Sequence, residues 1–245
     1  MLKRLVMIAL WMITPSLGFS AERVLIVTGE DYKGHRWQQT TPVLKAAIEV
    51  DDRLQVDVLD DLTKLAATDL APYRAVVMHF KNYDANVPGR AGFDALSKYV
   101  HHGGGLVLVH FACGAFQECK DDFEKLVGRV WDPKLRGHDP FGPFTVRITD
   151  HDHPITAGMS DFETDDELYT CLAGEVSIHP IAVARSKVDH KDYPMAFVLT
   201  VGKGRVFHSV LGHDVKALSV PAVGELYRRG TVWAAGLKQD KGASP

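Results

Sequence analysis

Three short, uninterrupted apolar runs constrain this chain more than any other feature. They lie in Arg23-Val-Leu-Ile-Val-Thr28, Ala75-Val-Val-Met-His79 and Leu106-Val-Leu-Val-His110. A strand with one wet face alternates apolar and polar residues, whereas a strand covered on both faces has no such alternation. Each run is four apolar residues long, which suits a buried strand and is too short for a buried helix. Helical spacing lies between them. From Trp37 to Glu49, Val43, Leu44, Ala47 and Ile48 fall on one side, and from Phe93 to Val100, Phe93, Leu96 and Val100 face inward. Strand, helix and strand in turn predict right-handed crossovers and a parallel sheet covered by helices.

The remaining segments fill in this plan. Leu54 to Leu59 alternates and belongs nearer an edge, and Gly103-Gly-Gly105 stops the second helix. Phe144 to Ile148 alternates as an antiparallel strand would. Asp150 to Tyr169 reads as a polar loop. Val176 to Ala184, Met195 to Thr200 and Arg205 to Val210 read as strands, with Gly202-Lys-Gly204 as the turn between the last two. Val220 to Ala235 closes the chain as a helix with Val223, Leu226, Gly230 and Trp233 on one stripe.

With 245 residues, 46% of them apolar, and no internal repeat or Pro-rich linker, one domain over residues 22–237 is expected. Residues 1–21 read as a secretory signal: a basic start at Lys3 and Arg4, an apolar run from Leu5 to Ile13, breakers at Thr14, Pro15 and Gly18, and small residues at Ser20 and Ala21. An exported protein, periplasmic or secreted, is the expectation. The run is shorter than the roughly 20 residues of a spanning helix, so no stable membrane insertion is expected after cleavage. Residues 238–245 form a polar tail.

Without Lys3 and Arg4, the 28 basic residues fall to 26 against 31 acidic ones, a formal charge of −5. That surface lacks the basic footprint that nucleic acid requires. Three cysteines, Cys113, Cys119 and Cys171, include no CxxC pair, so a cysteine zinc site is not expected. Cys113 and Cys119 could bridge in an oxidising compartment, or all three could be small buried residues. The oligomeric state is not readable from the sequence.

Loops leaving the carboxyl ends of strands form the ligand crevice of an open parallel sheet. Four histidines fall there: His35 in the loop after the first strand, His79 and His110 closing two others, and His213 just past Val210. Glu167 sits in an acidic stretch, Asp161 to Tyr169, that Phe162, Leu168 and Tyr169 would pin. A carboxylate facing several imidazoles suits acid–base work or metal ligation. No HExxH, GxGxxG, Walker or GxSxG sequence is present. His101 and His102 read as helix-end cations, and no partner is identified for His179, His190 or His208.

Six segments in order resemble the trehalose-utilisation, or ThuA-like, family. They are Gly103-Gly-Gly-Leu-Val-Leu-Val-His110, His153-Pro-Ile-Thr156, Asp165-Asp-Glu-Leu-Tyr169, Gly202-Lys-Gly-Arg-Val-Phe207, Leu211-Gly-His-Asp214 and Arg229-Gly-Thr-Val-Trp-Ala-Ala-Gly236. The resemblance spans about Arg23 to Gly236. It implies a three-layer, flavodoxin-like α/β sandwich of the class I glutamine amidotransferase type, with a mainly parallel central sheet, and a place in carbohydrate utilisation. Amidotransferases of this type carry a nucleophilic cysteine at an elbow where this chain has His110, so glutaminase chemistry is not expected. The export-type start departs from trehalose-operon members and shifts the expected substrate from trehalose to a glycan-derived sugar.

Three readings follow. In the first, an enzyme acts on a sugar or oxidised sugar: His110 and Glu167 transfer protons, while His35, His79, His213 and Tyr169 contact substrate and Asp214 orients His213. In the second, a non-catalytic sugar-binding module uses Trp37, Tyr83, Trp131 and Tyr169 as stacking faces. In the third, a divalent, zinc-like metal on the same histidines drives hydrolysis; the residues commit to no cofactor.

Overall fold

A computed structural model describes residues 21–30 and 34–239. The expected leader, except Ala21, and the tail from 240 lie outside the described residues. In chain order the first half contains β1 (Glu22–Val27), α1 (Trp37–Ile48), β2 (Leu54–Leu59), β3 (Tyr73–Met78), α2 (Gly89–His101), β4 (Gly105–Val109) and α3 (Lys120–Val127). The second half contains β5 (Gly142–Ile148), β6 (Phe162–Asp166), β7 (His179–Arg185), β8 (Asp192–Val201), β9 (Gly204–Ser209), α4 (Val215–Leu218) and α5 (Pro221–Ala234).

All nine strands form one sheet in the order β2-β1-β3-β4-β9-β8-β7-β5-β6. The three apolar runs are β1, β3 and β4, side by side and parallel, with the alternating β2 at the edge. The five strands β2-β1-β3-β4-β9 reproduce the 2-1-3-4-5 order of doubly wound sheets. The expectation of a mainly parallel sheet is corrected: four neighbouring pairs are parallel and four are antiparallel. Tight connections make the β7–β8 and β8–β9 pairs antiparallel, because a short turn such as Gly202-Lys-Gly204 can only reverse the chain, and β5 adds two more antiparallel pairs with β6 and β7 across longer loops.

The continuous apolar runs have the physical consequence expected of them. Val24, Ile26, Ala75, Val77, Val107 and Val109 face one cluster with Leu44 and Ile48 of α1 and Leu226 of α5. Leu25, Val27, Val76, Met78, Leu106 and Leu108 face the other, with Phe93 and Leu96 of α2 and Phe123 of α3. Helix, sheet and helix therefore make three layers. Each fully buried side chain of this kind contributes about 1.5–3 kcal/mol. Close seating of α5 depends on Gly230, where a Cβ would stand 2.1 Å from the Phe207 ring of β9.

Three elements differ from expectation: β6, α3 and the four-residue α4. The supposed loop from Asp150 to Tyr169 contains β6, whose inward residues are the polar Thr164 and Asp166 instead of apolar ones. The eight-residue α3 carries too short a pattern to stand out. The three cysteines are free, with Cys113 buried. No described helix is long and apolar enough to cross a membrane.

Candidate functional site

The strand ends of the parallel half bring the predicted residues together. His35 leaves the loop after β1, His110 follows β4 directly, and His213 follows β9. Glu167 follows β6, at the far edge of the sheet, but β6 packs against α4 and so returns to the same place. Asp166 fastens this closure. Its buried carboxylate accepts hydrogen bonds from the backbone N–H groups of Gly212 at 2.6 Å, Glu167 at 2.8 Å and His213 at 3.2 Å.

One ligand atom from each of His35, His110, Glu167 and His213 lies within 4.8 Å of every other. Their detailed placement is informative. His110 Nδ1 is 2.7 Å from the Val210 carbonyl, which can only accept, so Nδ1 carries a proton and Nε2 is the nitrogen turned to the site. That Nε2 faces Glu167 Oε2 at 3.4 Å, and His213 Nδ1 faces the same oxygen at 3.2 Å. His138 repeats the pattern, with Nδ1 on the Asp139 carbonyl at 2.7 Å and Nε2 3.7 Å from Glu167 Oε1.

A ring nitrogen and a carboxylate oxygen at this distance need either a proton or a metal cation between them. A charge-assisted N–H···O bond would run about 2.7–2.9 Å, shorter than the contacts here, and the approach to His213 Nδ1 lacks hydrogen-bond alignment. In a tetrahedral zinc site with bonds of roughly 2.0–2.1 Å, neighbouring ligand atoms stand about 3.3–3.4 Å apart. The two contacts to Glu167 Oε2 match the second spacing, and the four ligand atoms as a set lie within 4.8 Å of one another.

The electrostatics act differently on the individual groups. Burial, with His110 and His213 adding to it, pushes the His35 imidazole down to about 2, so it is neutral. Burial would raise the Glu167 carboxyl, but His110 and His213 outweigh it and hold it well below the usual carboxylate range. Glu167 in turn raises the His213 imidazole. Neutral His35 and ionised Glu167 are in the forms that bind metal, whereas His213, being raised, gives up a proton to do so. His110 also has φ +46°, a left-handed turn at the end of β4 where a non-glycine residue is strained. Cys113, one turn on, is buried, and its thiol is pushed up to about 12. It remains a thiol at neutral pH.

A cavity of about 250 Å³ opens over the cluster, and Tyr83, Trp131, His138, Tyr169 and Lys81 line it with the site residues. Tyr169 reaches the centre, its hydroxyl 3.4 Å from His110 Nε2. Two predicted residues stand elsewhere. His79 is wholly buried behind the cluster between the hydroxyls of Thr41 at 3.1 Å and Thr40 at 3.3 Å, and burial lowers it to about 3. Asp214 does not face the His213 ring nitrogen that Glu167 faces. Its carboxylate instead caps α4 by accepting from Ala217 N–H at 2.8 Å. Trp37 begins α1 and is not among the lining residues.

Sequence reasoning missed His138, Asp166 and Lys81. His138 had no periodic pattern around it; only its bridge to Tyr169 brings it in. His101 and His102 do bond the helix-end carbonyls of Ser97 and Lys98, at 2.8 and 2.7 Å.

Fold and cluster together define a three-layer α/β protein with a three-histidine, one-glutamate centre at its strand ends. The family model described as ThuA, trehalose utilisation, matches residues 23–234, and the chain belongs to that family. A ThuA-like protein of Parabacteroides merdae is 24% identical with a TM-score of 0.78, the match covering 91% of this chain and 93% of that one. A ThuA-like protein of Bacteroides uniformis is 19% identical with a TM-score of 0.70, covering 90% and 95%. No curated protein matches the chain.

The expectation of export is corrected by two further structures of this fold. STM1381 of Salmonella typhimurium (14% identical, TM-score 0.65, covering 86% and 99%) is named a cytoplasmic protein, and so is STM3548 of the same organism. These names oppose a periplasmic or secreted assignment.

Proposed function

We propose that this chain is a carbohydrate-directed enzyme whose reaction centre is a divalent, zinc-like cation held by His35, His110, His213 and Glu167. The observation that carries the reading is the 3.2–3.4 Å spacing of imidazole nitrogens around one carboxylate oxygen, in a buried pocket with neutral His35 and ionised Glu167. Such an ion, when bound, polarises a sugar hydroxyl or carbonyl or activates water. The carbohydrate part rests on the family description and on the aromatic walls of the cavity. Val210 and Asp139 orient His110 and His138 through their carbonyls. Tyr169 contacts substrate beside the centre, whereas His79 and Asp214 hold the surrounding framework. The domain runs over residues 22–237.

Elemental analysis of protein purified without chelator or affinity-tag metal tests this reading. About one zinc-like ion per chain is expected, lost in Glu167→Ala and His110→Ala. Turnover of a sugar by metal-free protein would overturn it and leave the acid–base reading, in which His110 and Glu167 transfer protons and the raised imidazole of His213 stands beside them. Binding of sugar by metal-loaded protein with no product after long incubation would make the chain a binding module instead.

A further inference from the structure

Lys81, two residues past His79, enters the same cavity from the loop after β3. Its stem runs over Gly114, where a Cβ would stand 3.0 Å from Lys81 Cδ and 3.2 Å from Cε. Gly114 has no left-handed φ to account for it; what the missing side chain provides is room for the lysine. The ammonium lies 5.1 Å from the Tyr83 ring centre and 5.8 Å from that of Trp131. Among the described residues no carboxylate comes within 4.0 Å of it. Burial lowers the ammonium from its ordinary value, so the group is held in the pocket at a cost. A half-buried cation beside a substrate cavity, with no carboxylate in reach among the described residues, suits an anion on the ligand.

We propose that Lys81 is a specificity-determining residue that binds a carboxylate of the substrate, making the substrate a sugar acid, a uronate or aldonate, in place of a neutral sugar. The inference rests on the carbohydrate reading above. A single ammonium matches a single negative charge. Among the described residues the lining includes no arginine, the residue that recognises phosphate with two parallel bonds. Tyr83 and Trp131 beside the ammonium offer apolar faces to a pyranose ring. A volume of about 250 Å³ sits at the small end of ligand pockets, roughly 300–1,000 Å³, and suits one ring.

Calorimetric titration of the full, metal-loaded protein with D-glucuronate, D-gluconate, D-glucose and D-glucose 6-phosphate tests the proposal, repeated on Lys81→Met and Lys81→Arg. One of the acids is expected to bind roughly ten- to hundredfold more tightly than glucose, as one charge-assisted bond provides. Lys81→Met should abolish that preference, Lys81→Arg should keep part of it, and metal content should not change. Equal affinity for acids and glucose in the wild-type protein, or tighter binding of the phosphate, overturns the assignment without needing any variant. So does a preference that survives in Lys81→Met. Loaded protein that binds none of the four sugars overturns the carbohydrate reading itself, while acid-blind binding overturns only the role of Lys81.

Discussion

His110 concentrates the demands placed on single residues in this protein. It takes a left-handed φ, donates Nδ1–H to Val210 and offers Nε2 to the centre. Strained residues of this kind cost about 1–3 kcal/mol and persist where geometry matters more than stability. Asparagine tolerates the same backbone conformation. His110→Asn is therefore expected to change unfolding free energy by less than about 1.5 kcal/mol, since lost hydrogen bonding of about that size is the main cost. Zinc affinity should fall at least tenfold. Denaturant unfolding and a chelator competition measure the two effects; loss of fold without loss of metal would contradict the assignment. Asp166 is a positioning residue by the same logic, because it holds Gly212, His213 and Glu167 by their backbone N–H groups. Asp166→Ala should lower metal affinity about 10–100-fold although Asp166 is not among the four ligand residues. The histidines at strand ends were legible because their positions follow from where strands stop. His138 and Asp166 were not, because a bridge between distant segments and a buried polar anchor leave no periodic mark.

At the scale of elements, α5 provides a paired test. A Cβ at Gly230 would meet Phe207 at 2.1 Å, whereas one at Gly224 would meet Ala47 Cβ at 3.5 Å and the Leu218 carbonyl oxygen at 3.9 Å, both ordinary contacts. Helix propensity favours alanine over glycine by about 0.8–1 kcal/mol at both positions. Overpacking against a fully buried ring costs about 1–3 kcal/mol and wins at the first. Gly224→Ala should stabilise and Gly230→Ala destabilise, read by urea unfolding. The turn between α1 and β2 supplies a pH test. Asp51 is almost buried and takes bonds from Arg53 at 2.8 and 2.6 Å, with Arg228 of α5 at 3.6 Å. Arg53 chiefly, against the cost of burial, holds its carboxyl below the ordinary value. The folded pKa is thus depressed, so its contribution is present above about pH 4 and lost as pH falls through the folded value. Asp51→Asn should destabilise at pH 7 by about 1–3 kcal/mol and by less at pH 3. A destabilisation independent of pH would contradict this. The buried strands were readable because apolar runs with no polar face admit few other structures. β6 was missed because its buried residues are Thr164 and Asp166, which imitate a solvated loop.

The whole molecule is a parallel half that supplies histidines and an antiparallel half that brings Glu167 back to meet them. The sequence shows the first half through its strand-helix alternation. It conceals the second, because the order of antiparallel strands depends on pairing between segments and not on any local pattern. The centre exists only when both halves are closed, so metal binding and closure of β6 on α4 should be linked. Added zinc should raise the melting temperature in a concentration-dependent way, and Glu167→Ala should remove the rise. The central claim concerns what joins the two halves, and zinc-edge X-ray absorption of the purified, loaded protein tests it most directly. About four nitrogen and oxygen neighbours at roughly 2.0–2.2 Å are expected, with imidazole scattering beyond them, and loss of this shell in Glu167→Ala. Sulfur neighbours, or an unchanged shell in Glu167→Ala, would contradict it.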